Sequence, residues 1–205
     1  MVGELLSDLV DPGLDFTEPR LYILDGGKAL TAAVKKQAGE SAAIQRCQVH
    51  KRRNLLDHLT DEQKPSVPKK RNAAYALEGY DPAKEALNAL PRELMDLNPS
   101  AARSLGEGME ETLTVHRLHL PAQLRKTIAG RNAVESAFSI VERVCKNVKR
   151  WHGGDQRERW VGSGLLVAES KFRRIAGYKL IPILMQELKT MTPPKSAVVK
   201  RRKAS

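Results

Sequence analysis

The chain has 205 residues, 41% hydrophobic and 29% charged, with 14 Gly and a formal net charge of +11. This mix suits one substantial core or two small ones, and it excludes a collagen-like, fully disordered or disulfide-dense protein. The apolar runs, such as Ile181 to Met185, fall far short of the roughly 20 residues of a membrane span, and no basic stretch precedes the apolar residues after Met1, so neither insertion nor secretion is expected.

Two cysteines, Cys47 and Cys145, widely separated, point to the reducing cytoplasm. The charge is unevenly placed. From Leu124 onward there are 19 Lys or Arg against 6 Asp or Glu, whereas the first 123 residues hold 16 against 18. A near-neutral half joined to a strongly basic one predicts a polyanionic partner. Nucleic acid leads, because clustered Lys and Arg gain from displacing the counterions condensed along a phosphate backbone.

In chain order, Leu5, Leu6, Leu9 and Val10 recur at helical spacing until Asp11-Pro12-Gly13 stops the helix. Leu21-Tyr22-Ile23-Leu24 reads as a short buried strand ending in Asp25-Gly26-Gly27. Lys28 to Ala38 reads as a helix with Leu30, Ala33 and Val34 on one face, and Ala42 to Cys47 as a second strand. Strand, helix, strand predicts a βαβ unit with Asp25 at the carboxyl end of its first strand, where open α/β sheets place their chemistry.

From Gln48 to about Thr127 helical segments take over. His50 to Leu59 is basic and amphipathic, and Gln63 to Lys70 is a polar, Pro-containing linker. Asn72 to Leu97 gives one or two helices with Leu87, Leu90, Leu94 and Leu97 as the apolar repeat, Pro91 either opening the second or kinking one long helix. Pro99 to Ala102, Gly106 to Val115 and the stretch from Pro121 supply shorter ones. Asn132-Ala-Val-Glu135 has the pattern of an N-cap with a reciprocating acid, opening a helix to about Arg150. Val134, Ala137, Phe138, Val141, Cys145 and Val148 form its apolar face. Trp160 to Phe172 and Ile181 to Leu188 suggest two more helices, and 191–205 reads as a disordered basic tail.

Three features carry chemistry. Asp25 with two following glycines is either an Asp-Gly turn closing a strand or a carboxylate fixed at a sheet edge, with glycines that admit a phosphate backbone. Glu135 is either the acid of a capping box or a functional carboxylate. Cys47-Gln-Val-His50 has metal-like spacing but lacks the partners of a four-ligand zinc site; its alternative is a buried Cys47 at the strand end, with His50 starting a helix whose Lys51, Arg52 and Arg53 face phosphate.

Six ordered motifs bring these features together: Asp25-Gly-Gly-Lys-Ala-Leu30, Gln45-Arg-Cys-Gln-Val-His-Lys51, Glu110-Glu-Thr-Leu-Thr-Val-His-Arg-Leu118, Arg131-Asn-Ala-Val-Glu-Ser136, Asn147-Val-Lys-Arg-Trp151 and Lys171-Phe-Arg-Arg174. Over about Glu4 to Leu188 the chain thereby resembles the Mutator-type transposases of bacterial insertion sequences. The resemblance implies an α/β fold: a partial ribonuclease H-like core over 1–60, an all-helical insertion over 61–127, the catalytic glutamate helix with basic helices over 128–190, and the tail.

By the same resemblance Asp25 matches the family's second aspartate and Glu135 its glutamate, both catalytic and metal-binding, while Cys47 and His50 match a signature of unassigned role. The implied reaction is metal-dependent DNA cleavage and strand transfer with two Mg2+ ions, which need several carboxylate oxygens. DNA contacts are expected from Lys51, Arg52, Arg53, Arg131, Lys146, Lys149, Arg150, Arg173 and Arg174. Arg131 stands where the family often has Thr, adding charge beside Glu135. Expected partners are insertion-sequence ends and target DNA, a second copy or a full-length transposase, and no membrane; the location is cytoplasmic, on DNA.

The resemblance further implies a carboxyl-terminal catalytic region without the first aspartate; the upstream candidates Asp8, Asp11 and Asp15 lie on the expected first helix, its stop and the following loop, and none is assigned to that position. The isolated chain is then expected to be inactive. The alternative is a noncatalytic DNA-binding or regulatory fragment.

Overall fold

Strand β1 (Leu21–Leu24) and strand β2 (Ala43–Arg46) pair in parallel, Leu21 opposite Ala43 and Leu24 opposite Arg46, and helix α1 (Lys28–Ala38) joins them. This is the βαβ unit that the apolar runs predict. The computed structural model describes residues 6–8, 12–39, 42–151, 153 and 155–191. Most of the helix expected over the first ten residues, Asp11, His152 and the tail after Met191 lie outside them.

Alternation along the strands divides the two faces. Leu24 and Ile44 point to α1, where they bury with Leu6, Ala33 and Val34. Ala43 turns the other way, into a second cluster with Val115, Leu118, Leu124 and Leu188, and Leu21 and Ile23 pack against it. Gln45 shares that second face, and Arg46 shares the first.

The helical block follows: α2 (Gln48–Leu56), α3 (Val67–Ala76), α4 (Tyr80–Met95), α5 (Pro99–Gly106), a 3-10 turn (Glu110–Leu113), α6 (Thr114–Arg117) and α7 (Ala122–Ile128). Leu87, Leu90 and Leu94 of α4 bury against Leu55, Tyr75, Leu105 and Leu113 in a core of their own. Leu97, the fourth member of the expected repeat, lies past the end of α4 and is 76% exposed. The expected polar linker is shorter than its composition suggests, because Pro68 sits in the first turn of α3, where its missing N–H costs nothing. Pro91 neither ends nor divides α4, which continues as one element to Met95.

Polar side chains bind this block to the sheet. Gln45 is fully buried: its Nε2 donates to the carbonyls of Arg46 and Thr112 at 2.7 and 2.9 Å, and its Oε1 accepts from the Val115 amide at 3.0 Å. Thr114 Oγ1 donates to the Ile44 carbonyl at 2.6 Å. The motif at 110–118 thus satisfies strand groups that an open edge would leave bare. Lys51, 1% exposed, donates from Nζ to the carbonyls of Ser104 and Glu107 at the end of α5. Burial, with the neighbouring Arg46 charge, pushes its ammonium pKa down to about 8.

Helices α8 (Asn132–Cys145), α9 (Gln156–Glu169) and α10 (Ile181–Met191) complete the described chain, with a 3-10 turn at Tyr178–Leu180 before α10. Helices α8 and α9 meet closely at Val141 and Gly164, where a Cβ on Gly164 would come within 3.1 Å of Val141. The expected apolar face of α8 is only partly covered: Val141 is buried, whereas Val134 is 49% and Phe138 60% exposed. Among the described residues no helix is long and apolar enough to cross a membrane.

Replacing Gln45 with Leu leaves the Val115 amide without its acceptor inside a dry seam, and should cost about 2 to 3 kcal/mol in urea unfolding, against less than about 0.5 for an exposed site. Lys51 sets a pH dependence. Its folded pKa lies below the ordinary 10.5, so between the two values the unfolded chain binds the extra proton and stability rises with pH. From pH 8 to about 9.5, below tyrosine ionisation, unfolding should become harder by roughly 1 to 2 kcal/mol, and Lys51→Met should abolish that rise.

Candidate active site

Asp25 follows the last residue of β1, and its Oδ1 accepts the Gly27 amide hydrogen bond at 3.1 Å. The turn-forming reading of Asp25 therefore holds for one of its two oxygens. The other, Oδ2, faces Arg131 Nη2 at 3.7 Å. Gly26 has φ +99, and a Cβ there would run into the Arg46 guanidinium. Gly108, at φ +60, meets the same side chain from the other side. The close approach at Gly26 is thus made by a buried arginine of the protein, which occupies the space expected for a phosphate backbone.

Cys47 is fully buried, and its amide donates to the Leu24 carbonyl at 2.6 Å, extending the strand pairing by one bond before α2 begins. His50, in the first turn of α2, lies with Nδ1 3.3 Å from Cys47 Sγ. The Cys-x-x-His spacing therefore produces a side-chain pair within one helical turn. Among the described residues no group of three or more His, Cys, Asp or Glu is gathered to hold a metal.

The segment after α7 carries the second carboxylate to this place. The Gln48 amide donates to the Ala129 carbonyl at 2.9 Å, and Gly130 passes over Val49 and Cys47, where a Cβ would meet Val49 Cγ2 at 3.1 Å. Helix α8 then starts at Asn132. Its expected capping box does not form: the N-cap position is Arg131, and no side chain caps the helix. Glu135 instead turns towards α2, with Oε1 3.3 Å from Arg53 Nη1 and 3.4 Å from His50 Nε2.

Arg131 closes the arrangement, with Nη2 3.2 Å from His50 Nε2. Asp25, Arg131, His50 and Glu135 hence form a chain of three successive contacts of 3.7, 3.2 and 3.4 Å through shared atoms. Residues 110 positions apart in sequence are brought together by α2 and the loop before α8. His50 is the switchable member. Arg131 can only donate, so its contact requires a bare Nε2 and places the ring hydrogen on Nδ1 towards Cys47, whereas a hydrogen bond to Glu135 requires the hydrogen on Nε2.

The basic residues expected at DNA differ in exposure. Arg52, Arg53, Lys146, Lys149, Arg150, Arg173 and Arg174 are exposed, and Arg131 is half-buried within the site. Lys51 is a correction: its ammonium is turned inward onto two carbonyls and cannot reach a phosphate. Sequence reasoning also missed Arg53 and His50 as direct partners of Glu135. The three-residue spacing of His50 and Arg53, one helical face, was the available signal.

Residues 3–173 match the family described as Transposase, Mutator family. The chain is also similar to the transposase for insertion sequence element IST2 of Acidithiobacillus ferrooxidans, with 27% identity over 190 residues. That match covers 87% of this chain and 62% of the relative's length.

The absent cap has a measurable consequence. Asn98 does cap α5, its Oδ1 accepting from the Ala101 amide at 3.0 Å. Asn98→Ala should cost at least about 1 kcal/mol in chemical denaturation, whereas Asn132→Ala should cost no more than about 0.3. Equal losses at the two positions would mean that Asn132 caps α8 after all.

Proposed function

This chain belongs to the Mutator family of transposases, and we propose that Asp25 and Glu135 are catalytic carboxylates for DNA cleavage and strand transfer in the transposition of an insertion sequence. The observation that supports this most is the chain of contacts from Asp25 through Arg131 and His50 to Glu135. In this reading β1, α1 and β2 are part of a ribonuclease H-like core over 1–60. Residues 61–127 are its helical insertion, and 128–190 bring the glutamate helix and a basic surface.

Mg2+ would supply charge neutralisation at the reacting phosphate, and a pair of ions needs several hard oxygens free of competing cations. The described residues do not fit such a pair. Asp25 spends one oxygen on the Gly27 amide and faces Arg131 with the other, and Glu135 is shared by Arg53 and His50. Two guanidinium charges already answer two carboxylates. Mg2+ therefore belongs to a complete centre that adds a further carboxylate.

What these residues do is hold phosphate. The guanidinium groups of Arg131 and Arg53 offer several N–H donors, and a phosphodiester entering beside them takes up hydrogen bonds now made to Asp25 and Glu135. Arg52 extends this line along α2, and Lys146, Lys149, Arg150, Arg173 and Arg174 contact the duplex further out. By itself the chain binds DNA and transfers strands negligibly, which is also what the noncatalytic DNA-binding reading expects; the neutralised carboxylates favour that reading for the isolated chain.

The test uses the purified 205-residue chain on duplexes carrying the element's own ends. Binding should weaken steeply with salt, with a log–log slope near −0.9 per phosphate contact, and Arg52→Glu with Arg53→Glu should flatten it by about two contacts. Salt-independent binding would overturn the phosphate reading. Strand transfer in Mg2+ should be negligible. Robust transfer lost in both Asp25→Asn and Glu135→Gln would overturn the inactivity and uphold the two assignments, and transfer untouched by either variant would overturn them.

A further inference from the structure

Beside the site, and separated from it by the Gln48–Ala129 hydrogen bond, lies a half-open cleft of about 430 Å3. Its polar walls are Gln48 from α2, Asn72 and Tyr75 from α3, His116 from α6, and Arg125 and Lys126 from α7. Ala76, Ala122 and Ala129 supply flat, apolar surface between them. No residue of this cleft is acidic.

A larger cleft of about 680 Å3 lies along the same side of the molecule, but Glu78, Asp81 and Glu187 line it against the one cation Arg117. A small cleft shares His116, Ala122 and Arg125 with the first and Glu78, Gly79 and His119 with the second. Charge decides which end an anion occupies: the end at Lys126, beside an Arg125 already committed to the Ala76 and Leu77 carbonyls, attracts phosphate, and the far end, with Glu78, Asp81 and Glu187, repels it.

The hydrogen-bonding groups at the attractive end are set by the fold. Arg71 Nη1 can only donate, so at 3.1 Å from Asn72 Oδ1 it fixes the amide with Nδ2 as the remaining donor. Gln48 Nε2 donates to the Thr112 carbonyl at 3.0 Å, which leaves Gln48 Oε1 as an acceptor. Neither Asn72 Nδ2 nor Gln48 Oε1 has a hydrogen-bond partner among the described residues, and Lys126 has no ion-pair partner there. One oriented donor and one oriented acceptor, a free ammonium and an apolar floor match the parts of a nucleotide: every base carries a neighbouring donor and acceptor on its pairing edge, and a phosphate follows.

Tyr75 makes the wall rigid. Its hydroxyl donates to Thr112 Oγ1 at 2.7 Å, Arg71 stacks over its ring at 4.6 Å, and its carbonyl accepts from His116 Nε2 at 3.1 Å. Burial keeps His116 neutral, so it adds no charge to the cleft. A wall fixed in advance loses little freedom when a ligand settles on it.

We propose that this cleft holds one unpaired nucleotide of a DNA strand whose neighbouring phosphate lies at Arg131 and Arg53. The inference rests on the DNA reading of the preceding subsection and deepens it, by giving the site a pocket for a base displaced from the duplex.

The experiment compares three duplexes of the same length by fluorescence anisotropy: blunt, with a one-nucleotide 3′ overhang, and with an abasic overhang that keeps the phosphate. The overhang base should tighten binding by about tenfold over the abasic end, the gain expected of two hydrogen bonds to the Asn72 and Gln48 amides. Ala76→Trp alters an exposed, uncharged residue of the cleft and should remove that increment while leaving binding to the blunt duplex within about twofold. A 5-iodouracil at the overhang should crosslink to the peptides of α3 or α7.

Equal binding of base and abasic ends, with blunt binding intact, would overturn the cleft assignment and leave the DNA reading standing. An increment unchanged in Ala76→Trp, with crosslinks elsewhere, would also overturn it. Loss of all DNA binding by the unmodified chain would overturn both readings.

Discussion

Four consecutive residues at the end of β2 hold the rest of the molecule in place. Gln45 binds the segment at 112–115 through its buried amide. Arg46 reaches across Gly26 and Gly108, tying the loop after β1 to the loop after α5, and donates to the Glu107 carbonyl at 3.0 Å. Cys47 donates its amide to Leu24, and Gln48 donates its own to Ala129 while its carbonyl accepts from Arg71. Sheet, helical block, α3 and the approach to α8 therefore share one short stretch of backbone. A two-stranded sheet is marginal by itself, and here its ordering depends on partners supplied from more than 60 residues away.

This anchoring draws on cations in a way that net charge conceals. Arg46, Lys51, Arg71 and Arg125 are all buried, and each donates to main-chain carbonyls. Lys51 sits on carbonyls at the end of α5, and Arg125 on the Ala76 and Leu77 carbonyls at the end of α3, where unpaired acceptors and the helix dipole favour positive charge. A long side chain brought inside in this way satisfies groups that would otherwise go without partners. Such residues are fasteners of the helical block, and the charge left at the surface is Arg52 and Arg53 on α2, the half-buried Arg131 at the site, and the exposed residues beyond α8.

Local pattern carried the first half of the fold. The apolar run at 21–24, the Asp-Gly-Gly stop and the spacing of Leu30, Ala33 and Val34 each follow from one element burying one face, and the structure has these elements within a residue or two. Where the outcome depended on distant partners, composition misled. Lys51 sits in a basic triplet that reads as one surface, yet helical geometry turns Lys51 inward while Arg52 and Arg53 remain outside. Asn132 and Glu135 have the spacing of a capping box. Local chemistry cannot reveal that Arg53 and His50, 82 and 85 positions earlier, compete for the same carboxylate. The cover of Phe138 was also illegible, since an amphipathic stripe specifies an apolar face and not what meets it.

That competition explains the geometry of the site. A carboxylate committed to its own helix terminus would point along α8, away from α2. Removing the cap turns Glu135 outward, where two cationic or polar partners on α2 receive it, and Arg131 at the N-cap position is placed to reach Asp25 across the same gap. The guanidinium at Arg131 thus does two things that a Thr could not. It reaches the Asp25 carboxylate from the start of α8, and it brings positive charge to His50, the neighbour of Glu135. Any anion that enters must compete with Asp25 and Glu135 for Arg131 and Arg53. A phosphodiester can do so because it offers several oxygens to the same planar donors, and each guanidinium bond it takes returns a carboxylate oxygen to the site. The ion pairs that hold the centre together before DNA arrives are therefore the contacts that DNA binding would exchange.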